Sequence, residues 1–242
     1  MMNVDWSSYA EVYDLMTANN PAYQNILARF KAEIDKWELP PQSTLCDLGA
    51  GTGNFSLVLS SSFPHCHVMH VDADERMNEA AQHKASKEKV RNIGFVAENM
   101  EETSFEPQSL SAIISVHALY SLRHPQALIN RMHEWLKPGG YLFVCDLGRT
   151  LNVRDWASYL FMEAAHKYGL IGALGLFYRG RAIAKHNRHI SKNQRAGVYW
   201  THDPQAFRNV FEQAGFEIIA CEEAYRGYSD IVVCRKVIAE NS

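Results

Sequence analysis

The feature that most constrains the fold of this chain is a regular alternation of short apolar runs with longer amphipathic stretches. The apolar runs read TLCDL, HVMHVD, IGFVA, LSAIISV and YLFVCDL, and stretches such as DERMNEAAQHKASKEK and HPQALINRMHEWLK separate them. Short apolar runs predict buried strands, and amphipathic stretches predict helices. Strands joined by helices run parallel, with right-handed crossovers that cover both faces of the sheet. The pattern therefore predicts a doubly wound α/β fold.

Both ends of the chain depart from this alternation. Residues 9–37 form a helical section that Pro40 and Pro41 end. Near the other end, DPQAFRNVFEQAGF predicts a helix, and EIIACEEA and YSDIVVCRK predict two strands joined by a turn at Arg226 and Gly227. Two successive strands with a short turn form an antiparallel hairpin. We therefore predict a mostly parallel, seven-stranded sheet that ends in an antiparallel hairpin.

One internal segment, between Thr150 and Tyr199, is too helical and too aromatic for a linker. We interpret it as a helical cap over the cleft. The predicted organisation is a helical lid over residues 1–40, a ligand-binding core over 41–149, a cap insertion that contacts the substrate over 150–200, and a C-terminal helix and hairpin over 201–242 that complete the sheet.

Composition narrows the partners and the compartment. The 242 residues have a formal net charge of −3 without a block of lysine and arginine, which disfavours a nucleic-acid partner and favours a small molecule. The five cysteines have no C-x-x-C spacing and predict buried, reduced thiols. No stretch approaches the length needed to cross a bilayer and the N-terminal residues resemble no signal peptide, so we predict a cytoplasmic protein. The oligomeric state stays open.

The stretch LCDLGAGTGNF places Gly49, Gly51 and Gly53 directly after an apolar run. In a doubly wound fold this strand-to-helix turn is where a ligand lies against the backbone, and glycine leaves room for it. A dinucleotide fingerprint would need a glycine at Asn54, and a P-loop would need Gly-Lys-Ser/Thr. The pattern here is D-x-G-x-G-x-G, beginning at Asp47.

This pattern resembles motif I of class I S-adenosylmethionine-dependent methyltransferases, in particular small-molecule enzymes similar to those of ubiquinone and menaquinone biosynthesis. LKPGGYLFVCD and the C-terminal AGFE resemble further segments of that family, so the resemblance covers most of residues 40–148 and returns over 202–236. It implies a Rossmann-like core, S-adenosylmethionine as the cofactor, and methyl transfer.

The resemblance also implies roles for single residues. Asp72, which ends HVMHVD, would hold the ribose hydroxyls, because a carboxylate accepts two hydrogen bonds at once. In AENMEETSF, Asn99 would contact the adenine amino group, in place of the commoner aspartate, and the Met100 backbone would contact a ring nitrogen. The implied cofactor-binding residues are Tyr23, Asp47, Gly49, Gly51, Gly53, Asp72, Asn99, Met100 and Ser115. The alternative for such features is a glycine turn that serves helix packing and an acidic residue that caps a helix.

The N-terminal tyrosines have two interpretations. In related small-molecule methyltransferases a tyrosine-containing segment closes over the cofactor, and Tyr23 in NPAYQNIL resembles that lid tyrosine. Tyr9 and Tyr13 could present ring faces to the sulfonium or hydroxyls to the carboxylate of the same ligand. The alternative is that some of the three are core aromatics at helical spacing.

Histidines suggest a catalytic group but no metal site. His117 follows the fourth predicted strand in SVHALYSL, so an imidazole there, with Tyr120 one turn on, could accept a proton from the methyl acceptor or orient it. The alternative is a histidine that caps a helix or packs beneath the cap. In HCHVMH, strand alternation puts His65 and His67 on the opposite face from His70, so we predict no metal.

The leading hypothesis is transfer of the S-adenosylmethionine methyl group to a small-molecule O, N, S or C nucleophile. One alternative is other chemistry on the same cofactor, as in carboxy-S-adenosylmethionine formation, and another is a non-catalytic cofactor-binding subunit. The cap stretch GLIGALGLFYRGRA, with Arg179 and Arg181, suggests a partly apolar acceptor that bears a carboxylate or phosphate, or else a packed subdomain with solvated arginines.

Overall fold

The structure, a computed structural model, describes residues 6–238, with side chains from Val12 onward. Its helices are α1 (Trp6–Thr17), α2 (Pro21–Ile34), α3 (Asn54–Ser62), α4 (Glu75–Glu88), α5 (Pro125–Trp135), α6 (Val153–Arg179), α7 (Arg181–Arg195) and α8 (Pro204–Gln213). Its strands are β1 (Thr44–Leu48), β2 (His67–Val71), β3 (Ile93–Val96), β4 (Leu110–Val116), β5 (Leu136–Leu147), β6 (Phe216–Ala224) and β7 (Ser229–Lys236).

The sheet confirms the predicted fold class. Its seven strands lie in the order β3-β2-β1-β4-β5-β7-β6. β1 pairs in parallel with β2 on one side and with β4 on the other, so the winding reverses between β1 and β4. β7 lies between β5 and β6 and runs antiparallel to both. The carboxyl ends of β1 and β4 therefore meet at the topological switch point, where doubly wound folds bind ligands.

Two apolar layers cover the sheet, and strand alternation assigns neighbouring residues to opposite layers. Leu45 contributes to the layer under α2 and α3, whereas Cys46 contributes to the layer under α5 and α8. In α2, Ile26, Phe30 and Ile34 follow the helical spacing of four and are at most 1% exposed. Burying a side chain of this size stabilises the fold by about 1.5–3 kcal/mol.

The N-terminal helical section consists of two helices, α1 and α2. Asn20 ends the connection between α1 and α2, because its side-chain oxygen accepts hydrogen bonds from the backbone N–H groups of Ala22 and Tyr23. Pro21 occupies the first helical position, where its missing N–H costs nothing. The break lets α1 turn away from the sheet and contact α4 and α7.

The cap consists of α6 and α7, and α6 is interrupted at Gly169. Gly169 has φ 73 and ψ 170, outside the helical region, so the chain changes direction there. Beyond it, Ala173 and Leu176 are buried against Leu15 and Met16 of α1. The cap and the N-terminal helices therefore pack on each other over the edge of the sheet.

The five cysteines are free thiols, and four of them are buried. As strand alternation predicts, His65 and His67 are exposed, whereas Cys66 and His70 are buried. Within residues 6–238, no helix combines the length and the apolar character that a membrane span requires.

Candidate active site

A cavity of about 790 Å³ opens at the switch point between β1 and β4. One wall is formed by the glycine loop after β1 and by the loops that follow β2 and β3. The N-terminal helices and the cap contribute residues of α1, α2, α6 and α7, and the segment after β4 and Tyr225 also line the cavity. The predicted lid, core and cap ranges all contribute lining residues.

The three glycines of the loop have left-handed backbones but different surroundings. A Cβ on Gly49 (φ +69) would lie 2.4 Å from Ala118 Cβ and 2.5 Å from Met100 Cε, so the loop is closely packed there. A Cβ on Gly51 (φ +56) would meet no atom within 4 Å and would project into open space beside the cavity that Gly51 lines. Gly51 thus leaves a cradle that a side chain would fill.

Gly53 has different surroundings from the other two glycines of the loop. It does not line the cavity, and a Cβ there would lie 2.9 Å from the Cβ of Ala81 in α4. Its φ of +79 also starts α3 in a left-handed turn. This contact fits the alternative interpretation, a glycine turn that serves helix packing, while a cofactor contact of Gly53 stays a prediction.

Asp72 lies at the cavity wall with both carboxylate oxygens already oriented. Oδ2 accepts a hydrogen bond from the Gly51 backbone N–H at 2.8 Å, and Oδ1 accepts one from the Asp74 N–H at 2.9 Å. Burial raises the pKa of this carboxyl, and the two N–H groups oppose the shift. Each carboxylate oxygen has a second lone pair, so Asp72 can still accept two hydroxyl hydrogen bonds.

Asn99 and Met100 line the cavity next to this carboxylate. The Asn99 side-chain oxygen accepts a hydrogen bond from the Glu101 backbone N–H at 2.9 Å, which holds the turn after β3. Met100 packs its side chain against Gly49. The turn therefore presents a fixed polar edge and one thioether beside the glycine loop.

Asp47 belongs to a buried hydrogen-bond chain that the sequence analysis missed. Ser56 Oγ donates to Asp47 Oδ2 at 2.5 Å and lies 2.9 Å from His70 Nδ1. Burial raises the pKa of Asp47 to about 7, with the Ser56 hydrogen bond opposing the shift. Burial, with the nearby Lys84 charge, lowers the pKa of His70 to about 4. The chain ties the first turn of α3 to β1 and β2 beneath the glycine loop.

Ser115, which the resemblance places among the cofactor-binding residues, does not line the cavity. It is fully buried, and its hydroxyl donates a hydrogen bond to the Leu48 carbonyl oxygen at 2.9 Å. This hydrogen bond joins the ends of β1 and β4, and a cofactor contact of Ser115 stays a prediction.

Tyr23 lies at the cavity as predicted, within an aromatic cluster. Its ring packs edge-on against Tyr13 and Phe55, and its hydroxyl accepts a hydrogen bond from Asn54 Nδ2 at 3.1 Å. Burial raises the pKa of its hydroxyl. Tyr13 also lines the cavity, whereas the side chain of Tyr9 lies outside the described residues.

A second contact joins the N-terminal helices to the glycine loop. Asp14 of α1 accepts a hydrogen bond from the Thr52 hydroxyl at 2.6 Å and pairs with Lys84 Nζ at 2.9 Å. Lys84 also donates to Asn54 Oδ1 at 2.7 Å. This Asp14 latch connects α1, the loop and α4 above the cavity, and no sequence motif indicated it.

Breaking the Asp14 latch should loosen the lid without unfolding the chain. We expect Asp14→Asn to speed dissociation of S-adenosylmethionine about 2- to 5-fold, because a partly exposed ion pair contributes only about 0.5–1 kcal/mol. Stopped-flow binding measures the rate. Glu33→Gln, which breaks the Glu33–Lys36 pair of 2.7 Å at the end of α2, is the matched control. An unchanged dissociation rate in Asp14→Asn would contradict the role of the latch.

His117 and Tyr120 both line the cavity after β4. His117 has φ 53, its Nε2 lies 2.9 Å from Ser229 Oγ, and its ring packs edge-on against Tyr225. Burial lowers the pKa of His117 to about 4, so the imidazole is neutral at pH 7. Tyr120 is 2% exposed and packs edge-on against Tyr199 of the segment after α7.

The buried, neutral His117 should make stability depend on acidity. Its pKa of about 4 lies below the unfolded value near 6.5, so the unfolded state takes up the proton first as the pH falls. The contribution of the neutral imidazole to the free energy of unfolding is fully present above pH 6.5, and it is lost as the pH falls toward 4. We expect wild type to lose about 1–2 kcal/mol more between pH 7 and pH 5 than His117→Gln does. Urea unfolding at both pH values measures this, with exposed His83→Gln as the control. Equal losses in wild type and His117→Gln would refute it.

The aromatic wall on the cap side includes residues that no motif predicted. Trp156 packs on Tyr225 with ring centroids 4.4 Å apart, and the Arg226 guanidinium lies 4.9 Å from the Trp156 ring centre. Arg226 is held by Asp155 at 2.9 Å. The Tyr225 hydroxyl accepts a hydrogen bond from Asn20, and burial raises its pKa to about 12.

The two cap arginines do not face the cavity. Neither Arg179 nor Arg181 lines it. Both are exposed, and Arg181 lies over the Tyr178 ring at 4.6 Å. The suggestion of an anionic acceptor held by these arginines is therefore unsupported.

Among residues 6–238, no cluster of three or more His, Cys, Asp or Glu side chains is arranged to hold a metal ion.

The geometry fits a nucleoside cofactor. Gly51 leaves a cradle that a Cβ would fill, Asp72 has free lone pairs for a diol, and the turn at Asn99 adds a polar edge. This is the glycine-loop and carboxylate arrangement that the resemblance assigns to S-adenosylmethionine. Fold and site together define the class of S-adenosylmethionine-binding α/β enzymes.

Comparison with known proteins assigns the chain within that class. The profile of a family described as Methyltransferase domain matches residues 17–221, so the chain belongs to this family of methyltransferases. Its enzymes use S-adenosylmethionine as methyl donor.

Individual relatives are more distant. Over 181 residues the chain is 24% identical to a malonyl-[acyl-carrier protein] O-methyltransferase of Paenibacillus sp. (strain JDR-2), covering 74% of this chain but only 57% of that protein. Over 213 residues it is 26% identical to a demethylmenaquinone methyltransferase of Lactococcus lactis subsp. lactis (strain IL1403), covering 87% and 80%. A SAM dependent methyltransferase from Aquifex aeolicus superposes with a TM-score of 0.61 at 15% identity, covering 97% of this chain and 100% of that one, which shows the shared fold.

Proposed function

We propose that this methyltransferase acts on an uncharged, flat, largely apolar small molecule held between the cap and the end of β4. S-adenosylmethionine supplies a methyl group that its sulfonium already activates. The chain therefore has to orient the acceptor in line with the methyl–sulfur bond and to exclude water.

The observation that carries this proposal is the distribution of charge around the cavity. The charged lining residues lie near the end of β1 and on the segments after β2, β3 and β4, and they are Asp47, Asp72, Asp74, Glu98, Glu101, Glu102 and Arg123. The cap and the segments beside it line the other side with Leu147, Leu151, Trp156, Leu160, Ile183, Asn187, Ile190, Val198 and Tyr199. An acceptor carboxylate or phosphate would lose its hydration there without gaining a counter-charge.

A buried hydrogen-bond donor in the cap wall supports an acceptor that carries an oxygen atom. The indole N–H of Trp156 is buried and finds no acceptor in the part of the chain that the structure describes. A buried N–H without a partner is costly, and a ligand oxygen would satisfy it. With the rings of Trp156 and Tyr225 beside it, tilted by 31° to each other, a ring that carries a hydroxyl or carbonyl group fits this wall. Demethylmenaquinone, named for the Lactococcus lactis relative, is of this chemical kind.

His117 fits an orienting role better than that of a strong base. With a pKa near 4 it accepts protons poorly at neutral pH, and Ser229 already engages its Nε2. Nδ1 remains for a hydrogen bond to the acceptor, with Tyr120 beside it. A neutral imidazole in this position would align a lone pair toward the methyl group.

The test is release of S-adenosylhomocysteine across a matched panel of acceptors. We expect turnover with uncharged phenols and hydroquinones, and much less with the same rings carrying a carboxylate or phosphate, or with acylated carrier protein. Trp156→Leu should raise the acceptor KM while cofactor affinity stays unchanged. Trp135→Leu, an equally buried tryptophan away from the cavity, should affect stability alone. Preferential turnover of the charged acceptors would overturn the proposal.

Two alternatives from the sequence are less well supported. Carboxy-S-adenosylmethionine formation would leave a carboxylated cofactor in the purified protein, which mass spectrometry detects. A non-catalytic subunit would bind the cofactor but release no S-adenosylhomocysteine with any acceptor. The match to a methyltransferase family favours methyl transfer over both.

The five free thiols support a reducing compartment such as the cytoplasm. The absence of charged residues on the cap side of the cavity, within the part of the chain that the structure describes, supports a small molecule over a nucleic acid as the substrate.

A further inference from the structure

The positive charge of this chain is concentrated in the cap. Between Ala164 and His202 the sequence holds seven lysines and arginines and no aspartate or glutamate, although the whole chain has a formal net charge of −3. The cap is therefore a positive surface on an otherwise negative protein. The cofactor and acceptor walls described above use none of these seven residues.

Most of this charge lies along one face of α7. Five basic residues at alternating spacings of four and three are all exposed, and they are Arg181, Lys185, Arg188, Lys192 and Arg195. The opposite face, with Ile183, His186 and Ile190, is buried, and Ile183 and Ile190 also line the cavity. We call the five exposed residues the basic stripe. Residues spaced in this way share one side of a helix.

The end of α6 exposes an apolar patch directly before the basic stripe. Beyond the Gly169 interruption, Leu170, Ile171, Leu174 and Tyr178 are 68%, 88%, 61% and 70% exposed. Large aliphatic side chains clustered and exposed to this extent mark a docking surface rather than chance exposure. We call these four residues the apolar patch.

The basic stripe and the apolar patch meet at Tyr178 and Arg181. The Arg181 guanidinium lies 4.6 Å from the Tyr178 ring centre and donates a hydrogen bond to the Tyr178 carbonyl oxygen at 3.0 Å. The two features therefore form one continuous surface of exposed apolar and basic side chains.

We propose that the cap docks this protein on the surface of an anionic lipid bilayer. Lys and Arg beside exposed aliphatic side chains are the composition of segments that lie in the membrane interface. The basic stripe complements anionic headgroups, and Leu170, Ile171 and Leu174 reach the acyl boundary. The same α7 lines the cavity from its other face, so docking brings the acceptor wall next to the lipid, where apolar acceptors accumulate.

Other occupants explain only part of the surface. A nucleic acid or an acidic protein would use the basic stripe but has no need of three exposed aliphatic residues. A second copy of this chain would cover the apolar patch but would bring two positively charged surfaces together. A bilayer with anionic lipid is the occupant that matches both features.

The test is flotation of the purified protein with vesicles of phosphatidylcholine alone and of phosphatidylcholine with phosphatidylglycerol. We expect binding to the anionic vesicles alone, weakening as salt rises. The triple variant Lys185→Gln/Arg188→Gln/Lys192→Gln should lower the partition coefficient on the order of 100-fold at low ionic strength. The control Lys31→Gln/Lys87→Gln/Arg91→Gln removes three exposed charges elsewhere and should bind like wild type.

A second pair of variants tests the apolar patch. Ile171→Gln should lower partitioning about 10-fold, whereas Ile219→Gln, at an aliphatic residue 50% exposed on β6, should not. Circular dichroism and S-adenosylmethionine affinity, both expected to stay at the wild-type values, show that each variant is folded.

Three results would overturn membrane docking. The first is equal binding to both kinds of vesicle, or binding to neither. The second is retention of RNA in a gel shift that the triple variant abolishes and Ile171→Gln leaves intact. The third is a dimer in sedimentation that Ile171→Gln dissociates, which would assign the apolar patch to self-association.

Discussion

Gly49→Ala is expected to lower the free energy of unfolding by about 2–5 kcal/mol. The left-handed backbone at φ +69 costs an alanine about 1–2 kcal/mol. The new Cβ would also lie 2.4 Å from Ala118 Cβ and 2.5 Å from Met100 Cε, and overpacking of this kind costs about 1–3 kcal/mol. Chemical denaturation followed by circular dichroism measures the loss.

Gly51→Ala is the matched comparison, because only the surroundings differ. Its φ of +56 brings a similar backbone strain, but a Cβ there meets no atom within 4 Å. We therefore expect a loss of about 1–2 kcal/mol in stability, together with weaker binding of S-adenosylmethionine, since the methyl group enters the cavity. If Gly49→Ala were no less stable than Gly51→Ala, the packing of the loop against Ala118 and Met100 would be refuted.

Asp72→Ala is expected to weaken S-adenosylmethionine binding by about 1.5–3 kcal/mol, on the order of 10- to 150-fold. The Asp72 carboxylate is oriented by the N–H groups of Gly51 and Asp74, at 2.8 and 2.9 Å, and keeps two lone pairs for the ribose hydroxyls. Losing it removes two charge-assisted hydrogen bonds and releases the glycine loop. Isothermal titration calorimetry measures the affinity.

The control for Asp72 is an aspartate that orders backbone away from the cavity. Asp203 accepts a hydrogen bond from the Ala206 N–H at the start of α8, so Asp203→Ala should cost stability but not cofactor affinity. Asp72→Asn keeps the shape and loses the charge, so its affinity should lie between those of wild type and Asp72→Ala. Wild-type affinity in Asp72→Ala would show that Asp72 does not hold the ribose.

Local sequence sufficed for features whose cause is local. The apolar alternation predicted a doubly wound, mostly parallel sheet, because strand and helix patterns follow from backbone geometry. The same reasoning located Gly49, Gly51 and Asp72 at the carboxyl ends of β1 and β2. The break at Asn20 was missed, although its signal, an asparagine cap followed by Pro21, was present in the sequence.

The surroundings of a residue did not follow from the sequence where they depend on distant neighbours. Gly53 and Ser115 fit the motif and the strand end, yet Gly53 faces Ala81 and Ser115 bonds to Leu48. Both are neighbours in sequence of residues that line the cavity. Consecutive residues point in different directions, so one can line the cavity while the next packs against the protein. Spacing within a motif does not determine what stands opposite each side chain.

The sequence by itself determined the α/β class, the glycine loop with its carboxylate, and the presence of a cap. Only the tertiary structure decided how the cap meets the cavity, because Tyr225 contacts both Trp156 and His117, which lie far apart in the chain. The tertiary structure also places Arg179 and Arg181 outside the cavity lining. It exposes the basic stripe of α7 to solvent, whereas Ile183 and Ile190 of the same helix line the cavity. Burial and charge pairing act between side chains that folding brings together, so their outcome depends on contacts that no local pattern records.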